Sequence, residues 1–387
     1  MIDYYRFSKR ESPFWAMFCL FPFFSIIIWF IKGNEVNYDY FWIPFCVFLI
    51  LNSIVHNRIL YQKYIKLSFV MGGLFLLKYL IPWLFEDISI NASIMDGKWF
   101  LYLFAALLWI DIYGTPRIEK VYKYCVFFCI IYICKALYML FTNSLSRGGV
   151  LMEANYDGYM ILIVYCFSDV VRKKRWWNWV ITLATLLTFS RTGWCAFFAI
   201  NMYKLYKKNM LYAVCFIPII LLLVYYGEMI RGESARNMDR FVYWTQAYIY
   251  FHNTNFTNIL LGTMPGVQLK MEILPEFMWT VELFENMRNL KGVYPFMFHS
   301  TYLRLAFTWG IPLATLYLLF LVKKILYGKY SPLKNLCIIT IIQSFSLSAL
   351  TLQNVSFLLF VCFLLALQND KNIRKYRFMK KNVNTYQ

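Results

Sequence analysis

Acidic side chains are scarce in this chain, 20 Asp and Glu against 39 Lys and Arg, and only 3 residues are His. No outer loop carries an Asp-x-Asp or comparable carboxylate pair, so neither a metal site nor a cofactor is expected, and developing charge must be met by the protein's own cations. All ten cysteines fall inside predicted helices and read as small apolar packers. None lies where an oxidising compartment would pair it, and Cys125 with Cys129 has no neighbouring His or Cys to complete a metal set. No small-residue cleavage site follows the first apolar run, so the first span is expected to stay as an anchor. Internal repeats, low-complexity tracts and interdomain linkers are also missing, and residues 1–387 read as a single integral membrane domain.

What the chain has is apolar length. Mean hydropathy is +0.51 and 60% of residues are apolar, against about 45–50% in ordinary soluble domains. A spanning helix needs about 20 largely apolar residues. Twelve runs qualify: Pro13–Ile31, Tyr40–Val55, Leu67–Phe85, Trp99–Ile112, Val121–Phe141, Tyr156–Val171, Trp176–Phe189, Trp194–Tyr203, Met210–Tyr226, Ser300–Val322, Leu333–Leu350 and Val355–Gln368. The expected fold is an all-α polytopic membrane protein of about twelve transmembrane helices.

Basic residues are retained on the cytoplasmic side. With the N-terminus inside, inner segments hold 26 of the 39 Lys and Arg, and the outer segments ten. Both termini are therefore expected in the cytoplasm. The +19 formal charge is a topology signal before it is a nucleic-acid signal, and the basic tail is expected on anionic membrane lipid with no nucleic-acid partner. The longest break is the outer segment 227–299, between the ninth and tenth helices. Within Met238–Phe251 the aromatics Phe241, Trp244, Tyr248 and Phe251 recur at three- and four-residue steps, as on one face of an interfacial or a packing helix.

Ionisable groups inside apolar spans usually mark function, although long side chains near helix ends also snorkel to the interface. Lys78, Lys135 and Arg304 lie in the outer halves of their spans. Ser190-Arg191-Thr192-Gly193 interrupts an apolar stretch too long for one upright span and too short for two. Because the flanking basic clusters require an even crossing, the tetrad is expected at the tip of a short helical hairpin, with Arg191 facing a polar pocket or capping the hairpin. His299 begins a span at its mouth, where an imidazole suits proton transfer; Glu153, Asp157 and Asp239 stand behind it as alternative bases.

Leu187-Thr188-Phe189-Ser190-Arg191-Thr192-Gly193-Trp194 resembles the Ser-Arg signature of bacterial O-antigen polymerases and O-antigen ligases. The likeness continues in Met238-Asp239-Arg240-Phe241-Val242-Tyr243-Trp244, in Ile259-Leu260-Leu261-Gly262-Thr263-Met264-Pro265-Gly266, and in His299-Ser300-Thr301-Tyr302-Leu303 with Trp309-Gly310-Ile311-Pro312. It covers about residues 150–320. The resemblance implies a C-type membrane glycosyltransferase in the inner membrane, with a periplasmic active site and an undecaprenyl-diphosphate-linked oligosaccharide as donor. Arg191 and Arg240 would hold the diphosphate and His299 would lie near the acceptor hydroxyl. Lys78, Lys135, Arg304, Glu153, Asn155, Asp157 and Tyr302 complete the expected substrate-binding set, and a chain-length regulator and a flippase are the implied partners. Ser300 departs from the Asn common in ligases. Polymerase is the favoured reading and ligase, differing only in acceptor, the alternative. A flippase would show repeated halves and short loops, and a membrane acyltransferase would not need arginines aimed at a diphosphate.

Overall fold

The computed structural model describes residues 10–32, 47, 51, 64–84, 88–142, 149–172, 174–208, 239–277, 291–348, 350 and 353–385. Among these, regular structure is helical apart from one antiparallel bridge between Leu269 and Val293. The helices are α1 (Ser12–Ile31), α2 (Ile65–Phe75), α3 (Ile90–Tyr113), α4 (Ile118–Phe141), α5 (Ala154–Tyr165), α6 (Arg175–Leu187) and α7 (Arg191–Lys208). They continue as α8 (Asp239–Asn253), α9 (Phe256–Leu261), α10 (Thr301–Trp309), α11 (Ile311–Tyr327), α12 (Ser331–Ser344) and α13 (Gln353–Thr385). Among the described residues, four helices are long and apolar enough to cross a membrane: α1, α3, α4 and the stretch Val355–Tyr376 of α13. Phe30, Phe69 and Leu316 stand exposed on helix flanks, as lipid-facing side chains do. The expected spans Tyr40–Val55 and Met210–Tyr226 lie outside the described residues, save Val47 and Leu51.

Several expected boundaries change, and three of them shape the site. The fourth span starts nine residues earlier, at Ile90, because Ser89 caps it by accepting from Ala92 N; Asp96 and Lys98, expected in a loop, are thereby buried inside the bundle. The eleventh ends at Ser344 instead of Leu350. The tenth, expected to run unbroken over Ser300–Val322, is two helices. Gly310 sits between them at φ +85°, in the left-handed region that favours glycine. The rings of Tyr302 and Tyr317 lie 5.8 Å apart, whereas an unbroken helix would separate these residues by about 22 Å along its axis. The chain therefore bends sharply at Gly310.

The basic segments gather at one end. Glu11, at the foot of α1, accepts from Arg10 Nε at 2.8 Å and from Arg117 through Nε at 2.8 Å, Nη2 at 2.9 Å and the backbone N at 3.1 Å. Lys204 pairs with Asp169 at 2.9 Å, and Arg374 with Asp370 at 2.8 Å. Asp370 also accepts from the backbone of Lys329 and Tyr330. These segments are among those expected on one side of the membrane.

A topology test needs a position that tolerates a side chain. Gly266, an obvious outer site, has φ +79°, and a Cβ there would lie 2.4 Å from Ile88 Cγ2. Glu272 and Lys329 are both exposed. In a chain cleared of native cysteines, Glu272→Cys is expected to react with a membrane-impermeant thiol reagent added outside and Lys329→Cys is not; the reverse pattern inverts the topology.

Burial opposes ionisation of Glu11, but the Arg117 and Arg10 hydrogen bonds outweigh it and hold its carboxyl down at about 2. A depressed carboxylate stabilises the fold above its ordinary pKa of about 4.5, and that contribution is lost as pH falls toward 2. Glu11→Gln is expected to lower the thermal midpoint at pH 7 by about 2 °C or more, for a loss of roughly 1–3 kcal/mol. The difference from the parent should shrink below pH 4.5, as differential scanning fluorimetry in detergent would show.

Candidate functional site

Helices α5, α6 and α12 are short, with 12, 13 and 14 residues, or about 18–21 Å each. The 24-residue α3 and α4 run about 36 Å. α6 and α12 start near the basic end and α5 finishes there, beside the Asp169–Lys204 pair, so the opposite ends of all three stop short of the tops of the longest ones. They stop together. Gly158 of α5 lies against Thr188 beyond α6, where an added Cβ would be 3.2 Å from Thr188 Cγ2. Tyr159 Oη and Thr340 Oγ1 of α12 are 3.2 Å apart. Ser300, at the start of α10, donates to Ser344 O at 3.0 Å, and Thr301 N donates to Leu347 O at 3.0 Å. The result is a recessed floor edged by Glu153, Arg191, His299 and Ser344.

The Ser-Arg tetrad forms the expected hairpin tip between α6 and α7, and each residue has a local reason. Ser190 Oγ accepts from Gly193 N at 3.1 Å and its carbonyl from Trp194 N at 2.8 Å, so Ser190 caps α7. Gly193 permits this close approach, since a Cβ would lie 3.0 Å from Ser190 Cβ. Trp194 Nε1 turns back to the carbonyls of Thr185 and Leu186 at 3.2 and 3.1 Å, satisfying the end of α6. Phe189 takes φ +48° to make the turn, a conformation that costs about 1 kcal/mol or more in a bulky residue. Arg191 is the first residue of α7 and half-buried.

The His segment is held from three sides. Phe298 O accepts from Arg304 Nε at 2.9 Å and Ser348 Oγ at 3.2 Å, and Phe296 O accepts from Arg304 Nη2. His299 then lies with its ring 5.9 Å from that of Tyr243 on α8. The residues of α8 divide: Tyr243 and Ala247 are buried against this segment, while Phe241 and Tyr248 are 62% and 72% exposed. Trp244 Nε1 reaches Phe345 O at 3.3 Å, so α8 lies across the end of α12.

Leu260-Leu261-Gly262-Thr263 packs directly on Trp309-Gly310. A Cβ on Gly310 would sit 2.1 Å from Leu260 O, and one on Gly262 would sit 2.5 Å from Trp309 N. Thr263 donates to Phe307 O through N at 2.6 Å and Oγ1 at 2.9 Å. Segments separated by some fifty residues thus form one joint whose backbones touch.

The cations do not converge. Lys78 Nζ lies 3.5 Å from Leu261 O and 5.0 Å from the centre of the Trp309 ring. Lys135 donates to Gly149 O and sits over Trp29 at 4.9 Å. Arg304 holds the Phe296 and Phe298 carbonyls. Arg240 lies in the first turn of α8, and its side chain falls outside the described residues. Asp157 accepts from Val150 N and Leu151 N at 2.5 and 3.1 Å, so with Lys135 it ties down the strap Gly149–Met152. Asn155 donates to Glu153 on the floor's edge. Tyr302 is buried, with its hydroxyl 3.4 Å from Ile341 O.

Asp96 was not among the expected site residues. It is 3% exposed, faces Arg304, and has no hydrogen bond on either oxygen among the described residues. A carboxyl ahead of Trp99, in the polar margin of a span, carried no sign in sequence that the helix would begin at Ile90. Tyr156 was missed too; it meets Ser348 from the first turn of α5.

No family model, curated protein or solved structure matches the chain.

Arg304 and Arg191 separate by role. Arg304→Met removes the Arg304 donor from Phe296 O and leaves Phe298 O to Ser348 alone, at about 1–3 kcal/mol for the carbonyl left open, so protein accumulation and melting temperature are both expected to fall. Quantitative immunoblotting and thermal unfolding would check this; parent-like stability would free Arg304 for a ligand.

Proposed function

We propose that this chain is a glycosyltransferase of the O-antigen polymerase type, with about twelve spans and a C-type fold. It joins undecaprenyl-diphosphate-linked repeat units at the periplasmic face of a bacterial inner membrane. The observation that carries this reading is the recessed floor: α5 meets the Ser-Arg tip through Gly158 and Thr188 and meets α12 through Tyr159 and Thr340, and the start of the His helix is bonded to the end of α12 through Ser300 and Ser344. The other two segments of the resemblance, around Arg240 and around Gly262, pack on the His segment through Tyr243 and Thr263.

The chemistry asks for this grouping. The acceptor hydroxyl attacks the anomeric carbon of the donor, the bond from that carbon to the diphosphate oxygen breaks, and negative charge grows on the leaving oxygen. Guanidinium groups fixed beforehand stabilise that charge more as it develops. Arg191 is the first donor, with Arg240 as its partner. His299 takes the acceptor's proton. The departure at Ser300 loses weight as an argument between acceptors, because Ser300 caps α10 by accepting from Leu303 N at 3.4 Å, and Ser and Asn both fill that role.

The test is polymer synthesis by purified protein on lipid-linked repeat units. Arg191→Lys keeps the charge but loses the planar fork, and about a 10²-fold loss of rate is expected with normal protein abundance. His299→Ala is expected to lose 10²- to 10⁴-fold while still binding donor. Parent-like polymer from both variants overturns the assignment, and transfer to a lipid A core acceptor in place of chain growth makes the protein a ligase.

A further inference from the structure

A cavity of about 700 Å³ opens between α8 and residues Thr263–Glu272. Its lining is unusual in being rich in amides: Gln246, Asn253, Asn255, Asn258 and Gln268, with Tyr250 as an aromatic wall. Some are braced. Gln268 Nε2 donates to Tyr294 Oη at 3.2 Å and its Oε1 accepts from Lys291 N at 2.7 Å, while Asn258 Nδ2 donates to Thr254 Oγ1 at 3.1 Å. Gln246 and Asn255 have no side-chain hydrogen bond among the described residues. Among the described lining residues the charges are Lys270 and Glu272, of opposite sign.

Planar amides offer a donor and an acceptor side by side, which matches neighbouring hydroxyls on a sugar ring, and an aromatic wall gives the ring's apolar face a surface. A wall with no net charge selects against phosphate or polyuronate. Position adds to composition: Gln246 follows Tyr243 by three residues, one turn of α8, and Tyr243 is the neighbour of His299. Tyr250 packs on Phe307 of α10 with ring centres 5.4 Å apart.

We propose that this cavity is a glycan-binding cleft that holds an uncharged oligosaccharide and, on the transferase reading above, presents the acceptor sugar to His299. The cleft itself is tested by binding alone. Saturation-transfer difference NMR on the full chain in detergent would use the oligosaccharide released by mild acid from the cell's lipid-linked pool, with oligogalacturonate of similar length as the anionic control. The parent is expected to bind the first and not the second, and Gln246→Ala combined with Asn255→Ala to weaken binding about tenfold or more. Undecaprenyl diphosphate binding, followed by native mass spectrometry, should be unchanged in that variant. Absence of glycan binding by the parent, preference for the anionic control, or equal binding by parent and variant each overturns the cleft. Loss of glycan binding in the variant, from a parent that makes no polymer, keeps the cleft and overturns the transferase.

Discussion

Inside an apolar layer an unpaired backbone amide or carbonyl costs several kcal/mol, and no water is at hand to relieve it. Continuous helices meet that demand by themselves, but a helix that stops partway leaves up to four groups open at its end. α5, α6 and α12 all stop partway, and each is closed by side chains chosen for the purpose. Ser190 and Trp194 close the α6–α7 tip, Asp157 takes the amides before α5, and Ser300 and Thr301 reach the last carbonyls of α12. The recessed floor exists because these short polar groups make stopping tolerable.

The same constraint explains why most of the intramembrane cations serve the fold. A buried Lys or Arg usually signals a ligand or pathway, yet Lys135 and Arg304 have backbone carbonyls for acceptors. Each is placed where the chain runs without helix, at the strap Gly149–Met152 and at the turn before His299. Arg191 differs in position: it heads a helix already capped by Ser190, at the edge of a floor. Asp96 is the converse case, a buried carboxyl whose nearest cation is engaged elsewhere.

Above the floor, the outer segment is fastened by backbone contact as well as by side-chain packing. Gly262 and Gly310 let the α9 turn lie directly on the bend between α10 and α11, at distances that any Cβ would prevent. The joint fixes α10, and α10 carries the Arg304 that shapes the His segment. A change at either glycine is therefore felt at His299 without touching it.

Composition and hydropathy determined that the chain is helical and apolar enough to span a membrane, because burying 60% apolar residues in long runs has few other solutions. Charge alternation set the expected sidedness of the loops, since lysines and arginines mark loops independently of packing. The tetrad Ser190–Gly193 announced its own turn, being a local motif whose capping needs no distant partner. The tertiary structure alone decided what depends on contacts between distant segments. That Gly310 breaks a span follows from Leu260 lying against it; that Lys78, Lys135 and Arg304 go to carbonyls of three separate segments follows from where those carbonyls were brought; and that α3 begins at Ile90 with Asp96 inside follows from Ser89 meeting Gly266. A hydropathy run records how much apolar surface must be buried, not which backbone will approach it.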